Sequence, residues 1–137
     1  MGLYLCVFDG DEELDGVEVG SYDDFHFFRS LVTERLEDGE LGSKYPVLLH
    51  HSDCDGEWSA EECEDLAREL ESIASAFLKL PPVPYNSAWQ ERVAASEGLN
   101  AGSLYECIID VDGKPLLDRL VGLCLLAKSR GGPILFQ

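Results

Sequence analysis

The chain has 137 residues, of which 45% are apolar, and its 27 acidic side chains against 10 basic ones give a net charge of −17. That length suits one domain with a core that needs no disulfide or metal, and the apolar share excludes a disordered chain. The acidity excludes a protein built to hold the phosphates of nucleic acid or the face of an anionic membrane.

The charge is one-sided. Residues 1–71 hold 21 acidic and 4 basic side chains, whereas residues 72–137 hold 6 of each. Such a surface speeds encounter with cationic partners. It also simply keeps a protein soluble, and charge alone does not choose between the two.

From the N-terminus, Met1 to Phe8 shows neither a basic region nor a small-residue cleavage site, so no signal peptide is expected. Gly2 is no myristoylation site, because Cys6 stands where Ser or Thr belongs. No apolar run approaches the ~20 residues of a membrane span. The best candidate, Leu116 to Ala127, is broken by Asp118, Arg119 and Gly122. Cys6, Cys54, Cys63, Cys107 and Cys124 are odd in number, and three lie in apolar segments, which fits reduced thiols and a cytoplasmic protein.

Leu3 to Phe8 reads as a buried strand, Asp9-Gly10-Asp11 as a turn, and Leu14 to Val19 as a second strand. Ser21 caps a helix whose Phe25, Phe28, Leu31, Val32 and Leu36 recur at helical spacing and which Gly39 ends. Tyr45 to His50 reads as a third strand. Ser59 and Glu62 form a capping box for the helix to Leu80, with Cys63, Leu66, Ala67, Leu70, Ile73, Ala74 and Phe77 on its inner face. Pro81, Pro82 and Pro84 close it. Asn86 or Ser87 caps a shorter helix, closed by Gly98. Leu104 to Val111 reads as a strand. Pro115 opens a helix that packs Leu116, Leu117, Leu120, Val121, Cys124 and Leu125, and Ile134 to Phe136 is a final strand. The expected fold is α+β, close to α/β: one domain over residues 1–137, with a mixed sheet of about five strands covered by roughly three to four helices.

His51 to Glu62 lies on the twelve-residue calcium-loop template with Asp53, Asp55, Gly56, Ser59 and Glu62 in register, and Glu57 adds a further carboxylate. Against it, His51 fills the first position, Trp58 replaces an aliphatic residue, and a strand precedes the loop. An Asp-Gly turn into a capped helix explains the same residues without a metal. His50 or His51 with Asp53 offers a hydrolase base and its orienting acid, but no nucleophile elbow, phosphate loop or dinucleotide fingerprint occurs. His26 reads as packing. Trp58, set among Asp53, Asp55, Glu57 and Glu61, is either an aromatic contact for a partner or a staple on the core. Trp89, Tyr22 and Tyr85 are the other aromatic candidates for contact.

Three segments carry a family resemblance: Gly-Leu-Tyr-Leu-Cys-Val-Phe-Asp-Gly-Asp-Glu-Glu-Leu-Asp-Gly-Val-Glu-Val-Gly at 2–20, His-Ser-Asp-Cys-Asp-Gly-Glu-Trp-Ser-Ala-Glu-Glu at 51–62, and Gly-Pro-Ile-Leu-Phe-Gln at 132–137. Together they resemble the immunity protein 70 family, encoded beside toxins of bacterial polymorphic toxin systems. The resemblance implies a cytoplasmic, non-enzymatic protein, without cofactor, that inhibits by covering its toxin. Many such toxins are nucleases with basic sites, which an acidic surface can occupy. The expected partner is thus a basic toxin, with no role for nucleic acid or membrane. The expected contact residues are Asp11, Glu12, Glu13, Asp15, Asp53, Asp55, Glu57 and Trp58. The calcium alternative uses Asp53, Asp55, Glu57 and Glu62.

Overall fold

A computed structural model describes residues 2–51 and 56–137. Among these residues the fold is α+β, with one sheet of four strands and six helices. β1 (Gly2–Asp9) and β2 (Glu12–Ser21) form a hairpin closed by Gly10 and Asp11, with Gly10 at φ 63° where a side chain would be strained. β3 (Glu57–Trp58) and β4 (Ile134–Phe136) complete the sheet in the order β2-β1-β4-β3. Every pairing is antiparallel, so the expected mixed sheet is corrected. The last strand in sequence thus lies inside the sheet, between β1 and β3.

The helices are α1 (Tyr22–Leu36), α2 (Pro46–Leu49), α3 (Ala60–Phe77), α4 (Ala88–Glu97), α5 (Leu104–Cys107) and α6 (Leu116–Arg130). Ser21 and Asp24 close a capping box on α1, and Ser59 and Glu62 do the same on α3. Each reciprocal pair satisfies two backbone donors that the first turn leaves over. Gly98 and Gly131 end α4 and α6 in the left-handed conformation. No helix among the described residues is long and apolar enough to cross a membrane.

Two expected strands are short helices instead. Residues 45–50 contain α2: Pro46 occupies its first turn, where a missing N–H leaves no bond unmade, and Glu69 of α3 accepts from the amides of Val47 (3.1 Å) and Leu48 (3.0 Å). A run such as Val47-Leu48-Leu49 is apolar in either state, so its periodicity could not decide, and the tertiary cap did. Residues 104–107 are α5, and beyond it only an isolated bridge joins Ile109 to Pro115. These two losses, offset by the unexpected strand β3, reduce the expected five strands to four.

One face of the sheet carries the core. Leu3, Leu5, Val7, Val17 and Val19 meet Phe25, Phe28 and Val32 of α1, Leu66, Leu70, Ile73 and Phe77 of α3, and Leu117, Leu120, Leu123 and Cys124 of α6. α3 and α6 pack along each other, and α6 and α1 lie on β1 and β2. Each of these large side chains contributes roughly 1.5–3 kcal/mol on leaving water. The stripe read from the 59–80 segment is the one that α3 buries.

Candidate interaction surface

Strand alternation divides the residues of β1. Leu3, Leu5 and Val7 point into the core, so Tyr4, Cys6 and Phe8 point out of the other face. Cross-strand register extends that outer face. Tyr4 lies opposite Glu18, Cys6 opposite both Gly16 and Leu135, Phe8 opposite Glu13, and Leu135 opposite Glu57. Directly opposed residues share a face. Tyr4, Phe8 and Leu135 are half-buried and stand outside the core cluster, while Glu13, Glu18 and Glu57 are exposed. The face has an aromatic and aliphatic centre and a carboxylate rim.

Tyr4 is held in place on this face. Its hydroxyl donates to Glu13 (2.9 Å), and its ring lies over Gly16, where any Cβ would collide with the phenol. Burial, followed by the hydrogen bond to Glu13 and that carboxylate's charge, pushes the phenol up to about 12. The ring therefore stays neutral at physiological pH. No Lys or Arg occurs before Arg29, and none lies in β3 or β4, so the strands supply no cation to neutralise the rim.

The expected contact residues divide. Asp11, Glu12 and Glu13 are exposed at the hairpin tip and the start of β2, and Glu57 is exposed on β3. Asp15 lies opposite Val7, on the helix-covered face, 3.7 Å from the guanidinium of Arg119, which also donates to the Gly16 carbonyl (2.8 Å). Trp58 is only 1% exposed. Its indole donates to the Val47 carbonyl (3.1 Å), and its ring packs with His51 and Phe136 at centroid distances of 4.8 and 4.9 Å. The staple reading describes Trp58, and as an exposed anchor it is corrected. Asp53 and Asp55 lie outside the described residues.

The chemistry assigned to the 51–62 segment meets competing structural uses. Glu62 accepts from the Ser59 amide in the α3 cap (3.0 Å). His51 stacks on Phe136 (4.7 Å), and its Nε2 lies 2.7 Å from the Glu57 carbonyl oxygen. The His50 ring abuts Gly42, whose φ of 77° and lack of a side chain admit it. His26 is exposed on α1 rather than packed, with Ser30 Oγ at 3.4 Å.

Several acidic residues are internal supports rather than surface. Asp24 is 4% exposed and accepts from the Ser21 amide (2.9 Å), the indole of Trp89 (2.9 Å), the side-chain amide of Asn86 (2.9 Å) and the Ser87 hydroxyl. Burial opposes its ionisation, but the bonds from Ser87, Asn86, Ser21 and Trp89 outweigh it and hold the carboxyl at about 2. Glu37 is 2% exposed and accepts the amides of Gly42 (3.0 Å), Lys44 (2.8 Å) and Tyr45 (2.9 Å). There too burial raises, and the backbone bonds from Lys44, Tyr45 and Gly42 prevail, lowering the carboxyl below its ordinary value. Trp89, an aromatic candidate for contact, is thus tied to Asp24.

The residues that sequence reading missed are Tyr4, Phe8, Glu18 and Leu135. Residues 3–8 are apolar throughout and show no polar alternation that would mark an outer face. With both faces of β1 apolar, the segment read as buried on both sides. The register that aligns Glu57 with Leu135 is not written in any one segment.

A comparison of the sequence with protein-family models matches one described as immunity protein 70, over residues 3–136. Comparisons with curated proteins and with solved structures find no match.

Proposed function

The chain belongs to the immunity protein 70 family, and from that premise we propose that it binds a cognate bacterial toxin and neutralises it by occupying its working surface, without turning over a substrate itself. The match across 3–136 carries the reading. The charge distribution supports it and gives it a mechanism. A toxin that handles nucleic acid needs a basic site, and 21 acidic against 4 basic side chains in residues 1–71 present a complementary field. Such a field raises association rates, as a protective protein requires.

The test is co-expression with candidate toxin domains from the same genome, beginning with any encoded next to this chain. Growth should be rescued by this protein, and a stoichiometric complex should be recovered whose association slows as salt rises. A toxin that stays fully active in the presence of excess protein would overturn the reading.

A further inference from the structure

Resting on the reading of the chain as an inhibitor of a basic toxin, we propose that the partner docks on the open face of the sheet, with Tyr4, Phe8 and Leu135 at the centre and Glu13, Glu18 and Glu57 as the charged rim. The acidity of the first half does not by itself locate a contact. The sheet does, for three reasons.

First, β1, β2, β4 and β3 bring residues from three distant parts of the chain onto one side, and that side is not the one used by the core. Second, its composition matches what a heterologous interface needs: half-buried aromatic and aliphatic side chains inside a polar, charged rim. Third, the rim has one sign. Lysine and arginine side chains of a partner would meet three carboxylates with no cation from the strands in competition. A second copy of this chain would set the same carboxylates against each other, so the face suits a cationic partner and not itself.

The backbone supports the same use. Gly16 leaves the space into which the Tyr4 ring folds, and the bond to Glu13 fixes that ring. An aromatic held before the partner arrives loses little freedom on binding. On the outer edge of β2, the Glu18 carbonyl accepts the Val111 amide (3.1 Å), which ties that position of the strand to the chain beyond α5.

Two triple variants carrying the same change in net charge separate this surface from general attraction. E13K/E18K/E57K reverses the rim, and E40K/E61K/E71K reverses exposed carboxylates outside the strands. Binding to the candidate toxin domain would be read by surface plasmon resonance at about 0.15 M salt, where fields fade over about 8 Å. Circular dichroism and thermal melting would show that both variants fold. The rim variant should bind at least about a hundredfold more weakly, mainly through slower association, and the control should change by less than about threefold. Phe8→Ala, which alters no charge, should instead speed dissociation. Equal weakening by both triple variants, or full affinity in the rim variant, would overturn the docking face while leaving the inhibitor reading intact. Failure of the unaltered protein to bind the toxin at all would overturn both. A dimer of the unbound chain in sedimentation, lost in the rim variant, would assign the face to self-association and overturn the proposal.

Discussion

Asp24 and Glu18 are three residues from a common turn at Ser21, and they do opposite things. Asp24 turns inward and gathers donors from α1 and the start of α4. Glu18 turns outward on an open sheet and uses only its backbone to hold a neighbour. Glu37 and Glu69 are of the first kind and Glu57 is of the second, while Glu13 stands exposed and accepts only the Tyr4 hydroxyl among the bonds described. The comparison teaches that net charge is a poor measure of an acidic surface. Part of the surplus is internal bonding, and only the remainder is available to a partner.

Substitutions can break or sharpen that contrast. The largest effect is expected from Asp24→Ala, which strands the amide of Ser21 and the polar side chains of Asn86, Ser87 and Trp89. It should cost about 3 kcal/mol or more in chemical denaturation, without touching the open face. Next is Glu37→Ala, which deprives the amides of Gly42, Lys44 and Tyr45 of their acceptor and should cost about 2 kcal/mol. Acid titration of stability should show Asp24 directly. Its carboxyl is held at about 2 in the folded chain against an ordinary 3.8, so its contribution is complete above the ordinary value and is lost as pH falls through the folded one. The shift corresponds to roughly 2 kcal/mol, and urea midpoints of Asp24→Asn should fall less between those pH values than those of the unaltered chain. Glu69 has the opposite sign. Burial, opposed by the bonds from Leu48 and Val47, raises its carboxyl, so it subtracts from stability as pH climbs above its ordinary value. Ser59→Ala, which removes one half of the α3 cap, should cost about 1 kcal/mol. The smallest change is expected from Glu18→Gln and Glu57→Gln, within about 0.5 kcal/mol of the unaltered chain in thermal melting. A loss there as large as that of Asp24→Ala would end the distinction.

Much of the fold was legible where a segment states its own structure. α1, α3 and α6 announced themselves by apolar spacing, with serine caps on α1 and α3, a proline at the start of α6 and a glycine at its end, and the β1–β2 hairpin by its Gly10 turn. The signals failed where a short segment takes its form from elsewhere. α2 exists because Glu69, more than twenty residues later in the chain, caps it. Trp58 beside Glu57 reads in sequence as either a contact or a staple, and only the packing of β4 against it decides for the staple. Of the expected contact set, Glu13 and Glu57 stand together on the open face, Asp15 does not, and Trp58 faces the core. The face itself was not legible, because register between distant strands is a property of the assembled sheet.

The position of β4 has a consequence for synthesis. Ile134–Phe136 joins β1 to β3, and among the described residues β3 has no other partner in the sheet. A ribosome that has translated α6 has therefore made three of the four strands without the one that connects them, and Trp58 still lacks Phe136 at its side. The sheet, and with it the alignment of Glu57 with Leu135 and Cys6, closes only after the segment holding β4 has left the exit tunnel. Pairing of β3 with the rest of the sheet thus waits on the emergence of those residues rather than on the helices that precede them.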